Sequence, residues 1–125
     1  MLFDTDVLIW VFRGNRSAAK ALEKCDQRHL SVVTYMELLQ GSRDRQEVRT
    51  IKGFLADFAF RMLPLTENIG HRAAIYMEEY GLKVAMCVAD ALVAATAVER
   101  QVTLYTGNRK HYSPISELDL RVFPP

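Results

Sequence analysis

The stretch Val88-Ala-Asp-Ala-Leu-Val-Ala-Ala-Thr-Ala-Val-Glu-Arg100, with Val102-Thr-Leu-Tyr-Thr106 close behind it, decides the fold. Its first part is rich in alanine and apolar nearly all the way round, the pattern of a helix buried at the centre of a protein. Its second part is a brief, continuously apolar run, the pattern of a strand covered on both faces of a parallel sheet. A buried helix that leads into a buried strand predicts an α/β arrangement.

Outward from this stretch the same alternation repeats. Met1–Asp4, His29–Val33 and Phe60–Leu65 read as further short strands, with a fifth at Leu120–Phe123. Between them, Ser17–Cys25 carries Ala18, Ala21, Leu22 and Cys25 at helical spacing. Thr34-Tyr-Met-Glu37 has the hydroxyl-then-glutamate spacing of a capping box. Asp44–Phe58 opens on an acidic cap and repeats apolar residues at Val48, Ile51, Leu55 and Phe58, and Glu67–Tyr80 is closed by Gly81. Strands alternating with helices predict an α/β/α sandwich around a mostly parallel central sheet. In such folds ligands gather beyond the carboxyl ends of the strands.

The 125 residues suit one domain (1–125), and no repeat or linker divides them. Half of the residues are hydrophobic, enough for a core without a staple. The net charge of +1 argues against nucleic-acid binding through bulk electrostatics, which leaves only a local basic rim. Cys25 and Cys87 stand far apart and read as two buried free thiols rather than a disulfide. The three histidines are isolated, which argues against a zinc site. The amino terminus lacks a basic leader region, and the longest apolar stretch, Val84–Val98, is short and holds Asp90. The expectation is a cytoplasmic protein with no membrane partner.

Three acids stand out against their surroundings. Asp4 ends the first apolar run, where a buried carboxylate is costly unless something cationic meets it. Glu37 is the one charge in Val32-Val-Thr-Tyr-Met-Glu-Leu-Leu39; reciprocal capping with Thr34 explains it equally well. Asp90 opens the apolar helix, with Ala94 and Ala97 on its own face to leave room beside it. Asp6 would project beside Asp4 if the strand held its pleat, but reads better as the cap of a helix over Val7–Phe12. Each of the three lies near a strand end or helix start, so all three can converge on one sheet edge. Gathered there, they would repel unless a divalent ion neutralised them. Oxygen ligands without His or Cys select a hard cation, magnesium or manganese. Such an ion can activate a water against a phosphodiester.

The runs Leu2-Phe-Asp-Thr-Asp-Val-Leu-Ile9, Leu30-Ser-Val-Val-Thr-Tyr-Met-Glu-Leu-Leu-Gln-Gly41, Asp90-Ala-Leu-Val-Ala-Ala-Thr-Ala97 and Leu104-Tyr-Thr-Gly-Asn-Arg-Lys-His-Tyr112 resemble, in order, the four motifs of PIN-domain nucleases. More narrowly they resemble VapC-type toxins of toxin–antitoxin pairs. The resemblance implies a magnesium-dependent endoribonuclease, manganese also serving, that is held inactive by a cognate antitoxin and forms a homodimer. By position, Asp4, Glu37 and Asp90 match the family's acidic metal-site residues. Asn108 stands where the family often has an acid, so the resemblance implies one ion rather than two. Asp6 stands where the family frequently has Asn; with Thr106 and Asn108 it is assigned to orienting water around the ion.

Arg13 and Arg16, Arg43 and Arg45, and Arg109 and Lys110 follow three of these motifs and form a candidate basic rim for RNA phosphates. Ordinary surface charge is the competing reading. Trp10, Tyr105 and Tyr112 could stack on bases, but packing is the better reading for each. The apolar face of Ile51, Phe54, Leu55 and Phe58 either receives a partner helix or covers this chain's own sheet. Two rival functions remain at this level. One is a non-catalytic PIN-fold binding module. The other is a haloacid-dehalogenase-like phosphatase, whose first motif is also Asp-x-Asp.

Overall fold

A computed structural model describes residues 1–123. The chain forms β1 (Leu2–Phe3), α1 (Thr5–Phe12), α2 (Arg16–Lys24), β2 (His29–Ser31), α3 (Val32–Gln40) and α4 (Arg45–Asp57). It continues through β3 (Arg61–Leu63), α5 (Glu67–Tyr80), α6 (Val88–Arg100), β4 (Leu104–Thr106), α7 (Arg109–Tyr112) and β5 (Leu120–Val122). The five strands make one sheet in the order β3-β2-β1-β4-β5. Every pairing is parallel, so the expected mostly parallel sheet is wholly so.

Side-chain alternation along the strands separates two cores. Leu2 and Leu104 face Ile69, Ala73, Ala91, Ala94 and Tyr112 on the side of α5 and α6. Phe3 and Tyr105 face Val7, Leu8, Ala18, Leu22, Ile51 and Leu55 on the side of α1, α2 and α4. This is the expected three-layer sandwich. Leu2, Phe3 and Leu104 are fully buried, each worth about 2 kcal/mol of apolar burial. The alanines 91, 94, 95 and 97 are also buried, and α6 packs chiefly against α5.

Several boundaries differ from the sequence reading. β2 stops at Ser31, whose hydroxyl accepts from the Val33 amide at 3.1 Å and starts α3 there. Thr34 therefore lies inside α3 and makes no capping box with Glu37. The first helix begins at Thr5 under an Asp4 cap rather than at Val7 under Asp6. Asn15 caps α2 through a bond from the Ala18 amide at 2.9 Å, so the helix starts at Arg16, one residue before the expected Ser17. Asp44 caps α4 as expected. The outer strands are shorter than expected and are not covered on both faces, since Arg61, Met62, Arg121 and Val122 are exposed.

The candidate partner surface on α4 belongs to this chain's own core. Ile51 and Leu55 are buried, while Phe54 packs edge-on against Phe12 at 4.9 Å and tilts against Phe58 at 4.7 Å. Both cysteines are free, but Cys25 is half-buried and Cys87 exposed, against the expectation of two buried thiols. No helix among the described residues is long and apolar enough to cross a membrane.

Candidate active site

The chain runs outward from β1 to β3 and then crosses over to β4 on the other side of β1, so the strand order reverses between the neighbours β1 and β4. Ligand sites in parallel sheets form where the strand order reverses in this way. Asp4 leaves the end of β1 and Thr106 closes β4, so both stand at that crevice.

Asp4 is buried, 7% exposed, and its carboxylate meets three donors. The Thr5 amide donates to Oδ1 at 2.9 Å. The hydroxyls of Thr106 and Tyr112 donate to Oδ2 at 2.8 and 3.0 Å. Burial pushes its pKa up to about 7, and the neighbouring charge of Asp6 adds to the rise despite those three bonds. At neutral pH this carboxylate sits between holding a proton and needing a cation.

The Tyr112 hydroxyl also lies 3.2 Å from Asp90 Oδ1, so one buried phenol bridges acids from two different elements. Asp90 Oδ2 lies 2.8 Å from His111 Nδ1. A carboxylate only accepts, so Nδ1 carries the hydrogen of that bond. The backbone amide of Asn108 donates to the Thr106 hydroxyl at 3.0 Å, which ties the fourth motif to the same cluster. The amide of Cys87 reaches Asp90 only at 3.5 Å, so helix capping is the lesser of its contacts.

Glu37 joins from α3 through Thr5, whose hydroxyl donates to Oε1 at 2.7 Å. Thr5 thus holds Asp4 with its backbone and Glu37 with its side chain. Asp6 turns instead to the β4 end, where the Gly107 amide donates to its Oδ2 at 2.9 Å. Its Oδ1 is buried and has no partner among the described residues. Burial raises the Asp6 pKa, the Gly107 bond opposing the rise. A Cβ at position 107 would stand 2.9 Å from Asp6 Oδ2, so glycine is what permits this approach.

The donor set suits a hard cation. Counting lone pairs, Asp4 Oδ1, Asp90 Oδ1 and Glu37 Oε2 each keep acceptor capacity after the bonds above. Among the described residues, no three His, Cys, Asp or Glu side chains gather closely enough to enclose an ion. A cation here would take only part of its shell from Asp4, Glu37 and Asp90 and the rest from water, as magnesium commonly does.

The structure brings Asp4, Asp6, Asp90, Glu37, Thr106 and Asn108 into one hydrogen-bonded neighbourhood. Sequence reasoning missed Thr5, His111 and Tyr112. The spacing of Tyr112 from Asn108, one helical turn, was the available sign. Arg109 and Lys110 are exposed on α7, the helix that carries His111 and Tyr112. Arg13 caps the far end of α1 from Asp4, and Arg43 pairs with Glu47 at 2.6 Å in the turn after α3. Tyr105 is buried in the core, Tyr112 beneath the carboxylates, and Trp10 packs partly against the same core as Phe3, so packing prevails for all three.

Comparison with known proteins bears on the same arrangement. The family described as PIN domain matches residues 1–114. A ribonuclease VapC of Rickettsia bellii is 30% identical over 131 residues, covering 99% of this chain and 96% of the relative. A toxin–antitoxin complex from Klebsiella pneumoniae contains a chain 30% identical, with a TM-score of 0.79, covering 94% of this chain and 93% of that one. The VapBC2 complex of Rickettsia felis, 20% identical with a TM-score of 0.85 and 98% coverage of both chains, shares the fold. A PIN-like sheet with acids at its β1–β4 crevice, matched along nearly its whole length, places this chain in the PIN domain family, within its VapC branch.

Proposed function

We propose that the chain is the endoribonuclease toxin of a toxin–antitoxin pair, hydrolysing RNA phosphodiester bonds with magnesium or manganese at Asp4, Glu37 and Asp90. The observation that carries this reading is the buried Asp4 carboxylate with its pKa raised to about 7, tied through Tyr112 to Asp90. An acid kept this dry is unfavourable as an anion unless a cation faces it. When bound there, a divalent ion neutralises the acids, polarises the phosphodiester and activates an attacking water.

The chain's own residues supply the positioning. Tyr112 fixes the separation of Asp4 and Asp90, and His111 sets the rotation of Asp90. Thr5 turns Glu37 toward the other acids. Asp6, Thr106 and Asn108 border the same crevice and order water within it. Exposed Arg109 and Lys110 meet the phosphates of the bound strand, and Arg16 is exposed as well. Neutral Asn108 in the fourth motif favours a single ion.

The partner is a cognate antitoxin, supported by the relatives' occurrence in toxin–antitoxin complexes. Ile9 and Phe12 on α1 are 36% and 38% exposed and give a partner helix an apolar foothold in place of the α4 face. Two copies pair as a homodimer, and the protein works in the cytoplasm.

The deciding experiment is cleavage of RNA by the purified protein with magnesium, with EDTA, and as Asp4→Asn. Cleavage only by the wild type with metal is the expected result; cleavage persisting in EDTA or in the variant sinks the metal mechanism. Growth arrest on expression, relieved by a co-expressed partner, separates a toxin from a binding module.

A further inference from the structure

A cleft of about 530 Å³ lies on the α2 side of the sheet, away from the four acids. Its walls carry Lys20, Lys24 and Arg121, and no carboxylate lines it. None of these three cations makes an ion pair among the described residues. Three unpaired cations around one concavity raise the local positive potential well above what a net charge of +1 would give.

The position of the cleft ties it to the crevice. Val122 in its wall pairs in register with Thr106, whose hydroxyl holds Asp4. Arg121 pairs with Tyr105, one step further along the strand. At its other end the cleft reaches Met1, at the opposite end of β1 from Asp4. The cleft therefore extends along the sheet from Val122, one strand outside Thr106, to the amino end of β1, and no residue of the crevice itself lines it. On α2, Arg16, Lys20 and Lys24 recur every four residues and share one face, a stripe about 12 Å long.

We propose that this cleft is a second binding site for the substrate strand, in which Lys20, Lys24 and Arg121 hold phosphates of single-stranded RNA beyond the scissile bond. The inference rests on the ribonuclease reading and extends it, because phosphodiesters are the ligand those cations and that continuity fit. A protein segment fits less well, since the aromatic floor residue, Tyr105, is only 8% exposed and offers little for an apolar anchor. The site makes the enzyme favour strands long enough to fill both the crevice and the cleft.

The test is a triple variant, Lys20→Gln, Lys24→Gln and Arg121→Gln, in the full chain. Fluorescence anisotropy with labelled 5- and 20-nucleotide RNAs in EDTA measures binding without turnover, and cleavage with magnesium is followed in parallel. The variant is expected to bind the 20-mer about tenfold more weakly, with the slope of log K against log salt smaller by about 2. Cleavage of the 5-mer is expected to stay unchanged. Unchanged 20-mer affinity and salt slope, in a preparation whose wild type cleaves RNA, overturn the cleft site and leave the ribonuclease reading intact. Unchanged RNA binding with weakened binding of polyglutamate assigns the cleft to an acidic protein and overturns the proposal. A wild type that neither binds nor cleaves RNA removes both readings.

Discussion

The hydroxyl of Tyr112 lies 3.0 Å from Oδ2 of Asp4, joining residues 108 positions apart inside the protein. The same oxygen reaches Asp90, so the spacing of two acids depends on one phenol. Burial beside those acids also pushes the Tyr112 pKa far up, and the group stays a neutral donor throughout the working range. Tyr112→Phe should leave the ring packed and remove only the donor. We expect RNA cleavage to fall about 10- to 100-fold, as for other residues that orient metal ligands. Stability should drop by about 1 kcal/mol, the cost of one donor lost from carboxylates that keep Thr5, Thr106 and His111, as read by urea unfolding.

Asp4 makes stability depend on pH in a defined direction. Its folded pKa of about 7 lies above the ordinary 3.8, so the folded state binds the extra proton between those values. Stability from this group is complete below about pH 4 and is lost as pH rises through 7. Without divalent metal, the melting temperature should therefore decline from pH 5 to pH 8. Asp4→Asn should flatten that decline and melt higher than wild type at pH 8, by an amount worth a few kcal/mol at most. Calorimetry in EDTA at the two pH values checks this. A wild type no less stable at pH 8, relative to the variant, would contradict it.

Gly107→Ala places a methyl 2.9 Å from Asp6 Oδ2 and must displace either that carboxylate or the loop. The Gly107 amide bond to Asp6 is then lost or bent. We expect a loss of about 1–3 kcal/mol and an activity decrease of at least tenfold. Asp6→Asn keeps a carbonyl acceptor for the amide, so it should retain activity within a few-fold. Thermal melts and cleavage rates of the two variants together make the comparison.

Ala94 is fully buried on α6, in the core that also holds Leu2 and Leu104. Leucine there adds three carbons to a space filled by Leu2 and Leu104 on the strands. Ala94→Leu should cost about 1–3 kcal/mol by overpacking and shift Asp90 with its helix. Denaturant unfolding should show the loss, and metal titration should show weaker binding than wild type.

Much of this protein is legible along the chain because its signals are local. The apolar runs at Leu2–Phe3 and Leu104–Thr106 and the alanine-rich Val88–Arg100 state their own burial, since a continuous apolar strand has nowhere else to go. Asp44 and Gly81 mark helix ends for reasons carried by single residues. Asp4, Glu37 and Asp90 were visible as lone acids in apolar surroundings. The capping of α3 was not, because Ser31 and Thr34 both carry a hydroxyl, and only the end of β2 selects Ser31. The apolar stripe of α4 was equally mute about its partner, since burying it against Phe12 or against another chain leaves the same periodicity.

Sequence by itself therefore determined the α/β layering, the order of the strands and longer helices and the identity of the isolated acids, all consequences of apolar pattern and residue chemistry, but not the short α7. Tertiary structure decided which donors meet those acids. Thr5, Thr106 and Tyr112 converge on Asp4 from three separate elements, and His111 turns to Asp90. Hydrogen bonds reach only about 3 Å, so residues a hundred positions apart can share a proton only after the sheet has set β1 beside β4.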